Sequence, residues 1–197
     1  MTQTSCASEV GPDAEVIARA QRGDLQAYDE LVNRYRARAL RVARSFLRDT
    51  DLSEDIAQEA FVRTFLSIRK LRDPAAFLVY LNRTIVRLSI DYRRKQSSRE
   101  VSLDIDPHIS TKTGRVDPRI YPMSTPVEES IFIHAILDKL SWKLRSVIVL
   151  RDVDGMEYSA IASVLRIPVG TVRSRLSAAR AAFKALYLGG TAAEKEA

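Results

Sequence analysis

The stretch YSAIASVLRIPVGTVRSRL, residues 158–176, restricts the fold more than any other part of the sequence. A short helix would place the small side chain of Ala162 where a second helix approaches, and Pro168 is favoured at the first position of that second helix. Two helices joined by a three-residue turn form a helix-turn-helix. We expect four apolar residues to close its core: Ile161, Leu165, Val172 and Leu176.

The start of the second predicted helix carries small, hydroxylated and basic residues on the side away from this core. They are Gly170, Thr171, Arg173, Ser174 and Ser177. Small residues permit close approach to a duplex, and arginine and serine side chains can reach base edges and phosphates in the major groove. The pattern indicates a DNA-reading helix. The alternative is an ordinary helical hairpin with a solvated arginine face.

Helical periodicity covers most of the remaining chain, and almost no segment alternates with the two-residue period of a strand. Helices are predicted over 14–22, 25–47 and 53–70, and from Asp73 and Pro74 to about residue 95, with Asp24 as the N-cap of the second. The third has an apolar stripe of Ile56, Ala60, Phe61, Phe65 and Ile68.

Residues 96–127 lose this periodicity and hold four of the seven prolines among Ser, Thr and Asp, which is typical of a linker. The expected fold is therefore all-α, with two small helical domains over 14–96 and 128–187. A flexible linker over 97–127 would join them, and flexible tails would cover 1–13 and 188–197. A linker of this length would let the two domains sit well apart.

The fourth predicted helix is strongly basic. Between residues 79 and 99, six basic side chains accompany a single acidic one, Asp91. At about 100° per residue, Tyr80, Arg83, Arg87 and Arg94 share one face. Arginines can bind phosphates and an aromatic ring can stack on an unpaired base, so this face suits partly single-stranded nucleic acid. A solvated basic face is the alternative interpretation.

The third predicted helix carries an acidic motif, DIAQEAF, at residues 55–61. Asp55, Gln58 and Glu59 stand three and four positions apart, so they share one polar face opposite the apolar stripe. Spacing alone leaves two interpretations open, a solvated surface or a docking surface for another protein.

Composition narrows the function further. The formal net charge of +6 suits a polyanionic partner. One cysteine, Cys6, excludes an internal disulfide, and two histidines make a zinc site or a His-assisted nucleophile improbable. With no phosphate-cradling glycine loop either, we expect no catalysis, no metal and no cofactor. No apolar run reaches the roughly 20 residues of a membrane helix, so we expect a cytoplasmic protein without membrane insertion.

Taken in order, these segments resemble the extracytoplasmic-function class of sigma-70-type sigma factors, the dissociable promoter-recognition subunits of bacterial RNA polymerase. The resemblance covers residues 14–96 as sigma region 2 and 128–187 as sigma region 4. It rests on Gly23-Asp24 with Ala27-Tyr28, on DIAQEAF at 55–61, on residues 81–91 and on PVGTVRSRL at 168–176.

The resemblance implies a role for each surface. Asp55, Gln58 and Glu59, with neighbouring Phe61, would dock on the clamp helices of the largest polymerase subunit, and region 4 would meet the polymerase flap. The residues implied to bind the minus-ten element are Lys70, Arg72, Tyr80, Arg83, Arg87 and Arg94. Those implied to bind the minus-35 element are Tyr158, Ser159, Thr171, Arg173, Ser174 and Ser177. The linker would thread towards the active cleft, and an anti-sigma factor that wraps both domains is the expected regulator.

Some residues depart from the pattern of this class. Arg87 stands where Asn is common, Tyr80 replaces a usual Trp, and Arg166 occupies a turn position usually taken by Gly. The first two departures concern the reading of minus-ten bases, and none disturbs the helical pattern.

Two other classes of function compete for the same residues. One is an autonomous helix-turn-helix repressor or activator with a helical sensor or dimerisation domain, which would bind duplex DNA unaided. The other is a helical protein that competes for polymerase without reading DNA. A sigma factor would instead bind promoter DNA feebly alone, because its two sites need polymerase to set their spacing.

Overall fold

The computed structural model describes residues 13–47, 49–71, 73, 76–102 and 126–192. Within these ranges the chain forms eight α-helices and no strand, which confirms the all-α prediction. The helices are α1 Ala14–Gln21, α2 Leu25–Arg44, α3 Thr50–Ser67, α4 Ala76–Ser102, α5 Pro126–Lys139, α6 Trp142–Ile148, α7 Tyr158–Leu165 and α8 Val169–Ala192. Most of the predicted linker and tails, including Cys6, lies outside the described residues.

The start of α2 follows from the sequence at Gly23-Asp24. Gly23 adopts φ +99°, a conformation that favours glycine, and lets the chain turn sharply after α1. Asp24 then caps α2, because its carboxylate accepts a hydrogen bond from the backbone N–H of Ala27 at 3.0 Å. Arg19 donates to the same carboxylate at 2.7 Å, which ties the end of α1 to the start of α2.

The third helix begins at Thr50, earlier than the apolar pattern predicts. Asp49 is its N-cap and accepts a hydrogen bond from the backbone N–H of Leu52 at 3.0 Å. The first turn is polar, so hydrophobic periodicity alone does not reveal it. The helix ends at Ser67 and continues as a 3₁₀ turn over Ile68–Lys70, which Gln21 secures by donating to the carbonyl of Leu71 at 2.7 Å.

The fourth helix is longer than predicted and ends at Ser102, about two turns beyond residue 95. No proline occurs between Pro74 and Pro107, so nothing in the sequence forces the helix to stop earlier. Its first half packs in the core through the buried side chains of Phe77, Leu81 and Ile85. The side chains of residues 91–96 are exposed.

In the second half of the chain, α6 runs directly into a π-helical turn over Val149–Val153. Asp154 follows, and its backbone N–H bonds back to the carbonyl of Val149 at 3.0 Å. Gly155 closes the turn at φ +74°, again a conformation that favours glycine. After this turn, the Asp154 side chain contacts α2 and α4.

The predicted helix-turn-helix is present as α7 and α8. Ile161, Val172 and Leu176 are buried between the two helices, as predicted, and Val164 joins them, while Leu165 is partly buried. The turn contains Arg166 in the left-handed region at φ +54°, at the position where a Gly is usual in the resembled class. Non-glycine residues are uncommon there, so this turn is mildly strained.

The two halves of the chain pack against each other. α4 lies against α7, and α2 lies against the π-helical turn, so that buried residues from both halves form one continuous apolar cluster. We call this contact between residues 13–102 and 126–192 the seam. Although the linker's length would permit separation, the described halves are joined. None of the described helices has the length and apolarity that a membrane crossing requires.

Candidate nucleic-acid and polymerase interfaces

The first turns of α8 present the polar face that the sequence predicts. Arg173, Ser174 and Ser177 are exposed and Thr171 is partly exposed, while Val172 beside them is fully buried. The hydroxyl of Ser174 donates to the carbonyl of Thr171 at 3.1 Å. A rigid apolar base thus carries an arginine and two hydroxyls outwards, an arrangement that can enter a major groove.

The start of α7 is the second part of the helix-turn-helix surface, and Arg151 contacts it. The guanidinium of Arg151 sits 5.0 Å from the ring centroid of Tyr158, within cation–π distance, and donates to the carbonyl of Met156 at 2.8 Å. Tyr158 is partly buried as a result, and Ser159 is exposed. The six residues assigned to minus-35 binding therefore occupy the two helices of one motif.

The basic face of α4 divides into an open part and a covered part. Arg87 and Arg94 are exposed, with the Arg87 Nε 4.0 Å from a carboxylate oxygen of Asp91. Tyr80 is partly buried, and its hydroxyl lies 2.8 Å from that of Ser67. Lys70 is exposed on the 3₁₀ turn before α4, whereas Arg72 lies outside the described residues.

Arg83 belongs to the covered part. Its Nη2 donates to the carbonyl of Ser163 in α7 at 2.5 Å, so the side chain points into the seam. Burial lowers the pKa of Arg83, and the positive charge of Arg166 lowers it further. The shared face predicted for Tyr80, Arg83, Arg87 and Arg94 is thus interrupted in this structure by the packing of α7 on α4.

The acidic motif lies on the outer side of α3. Asp55, Gln58 and Glu59 are all exposed, and Glu59 accepts a hydrogen bond from Arg63 at 2.7 Å. Phe61 does not share this face. It is 6% exposed and lies in the apolar core, because two positions along a helix correspond to a rotation of about 200° from Glu59.

Sequence reasoning missed an apolar surface beside the acidic face. Val62 is 54% exposed and Leu66 71% exposed on α3, and Phe65, predicted to face the core, is 37% exposed. The Phe65 ring packs edge-on against Tyr28, with centroids 4.9 Å apart. The signal is present in the sequence, since residues 58, 62 and 66 repeat every four positions, a spacing that favours one helix face.

Comparison with known proteins gives the same order of regions. The family model for sigma-70 region 2 matches residues 31–99, and that for sigma-70 region 4 matches residues 133–183. The chain is 30% identical to the RNA polymerase sigma-H factor of Pseudomonas aeruginosa, covering 86% of this chain and 91% of the relative. It is 31% identical to the ECF RNA polymerase sigma-E factor of Escherichia coli, covering 89% and 94%.

Solved structures are similar over most of their length. CnrH in complex with the cytosolic domain of CnrY is 26% identical with a TM-score of 0.67, covering 90% of this chain and 97% of that one. RpoE from Bartonella quintana, solved with the anti-sigma factor NepR, shares the fold at 19% identity and a TM-score of 0.64, covering 81% and 96%. These matches do not favour an autonomous repressor or activator. With regions 2 and 4 in this order over nearly the full length of such relatives, the chain belongs to the extracytoplasmic-function class of sigma-70-family RNA polymerase sigma factors.

Proposed function

We propose that this sigma factor holds promoter DNA at two points, whose spacing core polymerase sets, and that it carries out no chemistry itself. The observation that carries the proposal is the outward polar face of α8 on a fully buried base, together with a second basic surface on α4. Each point alone makes few contacts, so tight binding requires both at once. RNA polymerase supplies the catalysis, and the protein acts in the cytoplasm where polymerase works.

Region 4 would bind the minus-35 element as a duplex. Arg173 is the long basic side chain at the centre of the α8 face, and arginine is the residue best suited to the acceptor pair of guanine. Ser174, Ser177 and Thr171 would reach phosphates or nearby base edges, while Tyr158 and Ser159 would contact the backbone from α7. The buried Val172 and Leu176 beneath them keep the face rigid.

Region 2 would bind the minus-ten element as it melts. Exposed Arg87 and Arg94 can meet phosphates of the non-template strand, and Tyr80 offers a ring on which an extruded base can stack. Lys70, Arg72 and Arg83 would complete the surface. Unstacking a base costs a few kcal/mol, so capture of single-stranded bases couples promoter melting to binding.

The acidic face of α3 would dock on the clamp helices of the largest polymerase subunit, and region 4 would meet the flap. Asp55, Gln58 and Glu59 supply charge and hydrogen-bonding groups, and exposed Val62 and Leu66 supply adjacent apolar area. A polar rim around an apolar centre is the usual make-up of a protein interface. Phe61 would act from beneath by fixing the helix rather than by touching polymerase.

An anti-sigma factor is the proposed regulator. Two of the similar solved structures are complexes, one with the cytosolic domain of CnrY and one with the anti-sigma factor NepR. A partner that covers Tyr80, Arg83 and the α8 face of this chain would block both DNA contacts. Domain limits of 14–96 and 128–187, with a linker over 97–127 that threads towards the active cleft, remain part of the same proposal.

Run-off transcription with purified core polymerase, followed by promoter mapping, tests this function. The wild-type protein should start RNA at defined promoters, and Arg173→Glu should lower that activity about a hundredfold, because it replaces an attraction to DNA by a repulsion. Lys184→Glu is the matched control, since it reverses an exposed charge on the same helix about three turns away.

Three results would count against the proposal. They are the absence of promoter-specific RNA from any site, full activity of Arg173→Glu, and tight specific binding of the isolated chain to a defined operator at physiological salt. The last result would point to the autonomous regulator instead.

A further inference from the structure

The seam contains a buried carboxylate that belongs to one half of the chain and accepts hydrogen bonds from side chains of the other half. Asp154 follows the π-helical turn of region 4, and its side chain is 0% exposed. Its Oδ1 accepts a hydrogen bond from Arg38 Nε of α2 at 2.5 Å. Its Oδ2 accepts from Arg38 Nη2 at 3.1 Å and from Asn82 Nδ2 of α4 at 2.8 Å.

This arrangement satisfies the carboxylate but only while the two halves touch. Both oxygens have charge-assisted or amide donors, as a buried carboxylate requires. Arg38 also donates to the Asp154 carbonyl at 3.1 Å, and the hydrogen bonds to the Asp154 side chain raise the pKa of Arg38. Asn82 is itself buried, and its Nδ2 also lies 3.2 Å from Met156 Sδ, so both of these contacts of the amide are with region 4.

An ion pair whose carboxylate is buried and whose arginine is 30% exposed is well suited to a contact that opens. The attraction between the charges is largely offset by the loss of their hydration, so the net free energy is small, whereas removing one partner is strongly unfavourable. The pair therefore specifies how the halves meet without making their contact permanent. A second anchor supports it, because Arg145 of region 4, 1% exposed, donates to the carbonyl of Ser45 in region 2 at 2.7 Å.

Closing the seam has a consequence for a residue that we assign to the minus-ten element. Arg83 lies between α4 and α7 and donates to Ser163, and its buried Nε has no hydrogen-bond partner among the described residues. A cation with an unsatisfied donor is held at a free-energy cost. Release into solvent or onto a phosphate would relieve that cost, but only after α7 moves away.

We propose that Asp154 is an internal latch, which docks region 4 on the Arg38–Asn82 site of region 2 and so keeps Arg83 from DNA until core polymerase separates the halves. The proposal rests on the proposed function, because it takes Arg83 as a minus-ten contact. It adds a self-restraint in the free sigma factor that needs no second protein. The Arg38–Asn82 site is thereby a carboxylate-binding site whose occupant is part of the same chain.

Charge reversal tests the latch. Asp154→Arg places a second cation against Arg38 and should open the seam, which small-angle X-ray scattering of the isolated full chain would record as a radius of gyration several ångströms above that of wild type. The double variant Arg38→Asp/Asp154→Arg restores opposite charges and should return the wild-type value. Asp154→Asn, which keeps the shape and removes the charge, should give an intermediate value.

The matched control is Asp152→Arg. Asp152 is a carboxylate two positions away, but it pairs with Arg180 of the same half at 2.5 Å and does not reach across the seam. Its reversal should leave the radius of gyration unchanged. Circular dichroism on every variant separates opening of the seam from loss of helices.

Affinity for single-stranded DNA gives the functional readout. The probe is an oligonucleotide with the non-template minus-ten sequence of a promoter mapped by run-off transcription, used without polymerase. Asp154→Arg should bind it about tenfold more tightly than wild type. In the wild type only a minor fraction of molecules is open and able to bind, whereas most molecules of the variant are open. Adding Arg83→Ala to Asp154→Arg should remove that gain. With saturating core polymerase, Asp154→Arg and wild type should transcribe equally.

Each outcome has a defined meaning. An already extended wild type, or an Asp154→Arg variant as compact as wild type, overturns the latch even if transcription is normal. Opening without a gain in affinity overturns it as well, since Arg83 would then not be what the seam hides. Failure of wild-type run-off transcription instead refutes the proposed function, and the scattering series still reports on the seam.

Discussion

The two surfaces proposed to bind DNA differ in how far the rest of the chain covers them. The polar face of α8 stands clear, with Arg173, Ser174 and Ser177 exposed. The basic face of α4 is shared between solvent, where Arg87 and Arg94 lie, and the seam, where Arg83 lies. In the free protein, the surface proposed to bind duplex DNA is therefore more exposed than the surface proposed to bind single-stranded DNA.

The largest expected effect concerns the apolar core between α7 and α8, which supports the polar face of α8. Ile161→Ala removes a fully buried side chain between α7 and α8 and should lower the free energy of unfolding by about 2–5 kcal/mol. Val62→Ala, an exposed apolar truncation on α3, should change it by less than about 0.5 kcal/mol. Chemical denaturation measures both, and equal effects would show that the helix-turn-helix is not a packed unit.

The next effect tests whether Arg87 and Arg83, on the exposed and covered parts of the α4 face, differ in their access to DNA. Arg87→Ala should reduce the salt dependence of single-strand binding, with the slope of log K against log salt falling by about 0.7 for one lost phosphate contact. Arg83→Ala should do so only when Asp154→Arg is also present, because the seam otherwise withholds that side chain. Salt titrations of these variants beside wild type measure this. If Arg83→Ala alone lowers the slope, the two arginines are equally free.

Two glycines of region 4 provide a smaller test. Gly155 sits at φ +74° with open space where a Cβ would lie, so Gly155→Ala should cost about 1 kcal/mol through backbone strain alone. Gly170, helical and equally open, is the control, and Gly170→Ala should stabilise by up to about 1 kcal/mol. Thermal unfolding measures both. A neutral Gly155→Ala would mean that the turn next to Asp154 is not fixed.

The smallest effect lies away from both DNA surfaces, at the start of α2. The hydrogen bond from the backbone of Ala27, and then that from Arg19, lower the pKa of Asp24 in the folded protein. Its contribution to stability is therefore present above the ordinary Asp pKa of about 3.9 and is lost as the pH falls through the folded value. Asp24→Asn should flatten the acid limb of the stability curve slightly, as urea titrations between pH 5 and about 2.5 would record. An unchanged limb would exclude this linkage.

The helices and outward faces could be predicted from the sequence where the signal is local. Turn, proline and apolar spacing located the helix-turn-helix, and three-four spacing located Asp55, Gln58 and Glu59 on one exposed side of α3. Phe61 is buried, as its place in the apolar stripe predicts, whereas Phe65 of the same stripe is 37% exposed. The extent to which a residue at the edge of such a stripe is covered depends on how the neighbouring helices pack, which spacing alone does not specify. The polar first turn of α3 and the late end of α4 carry no hydrophobic signal.

The seam could not be predicted at all. Arg38, Asn82 and Asp154 lie far apart in the chain, and each is an ordinary polar residue on a helix or turn. A long linker places no restriction on how its ends approach, so no local pattern specifies their meeting. The partly covered state of Arg83 follows from that contact and was likewise absent from the sequence-based prediction.

The positive charges of Arg166 and Arg83 make the seam sensitive to ionic conditions. Arg166 follows α7 and Arg83 lies on α4, and the positive charge of Arg166 adds to burial in lowering the pKa of Arg83. Dissolved salt weakens the repulsion between these two cations more than it weakens the Arg38–Asp154 pair, because the Asp154 carboxylate is buried and screening acts mainly on exposed charges. If the latch holds, we expect concentrated KCl to make the free chain more compact and dilute buffer to loosen it.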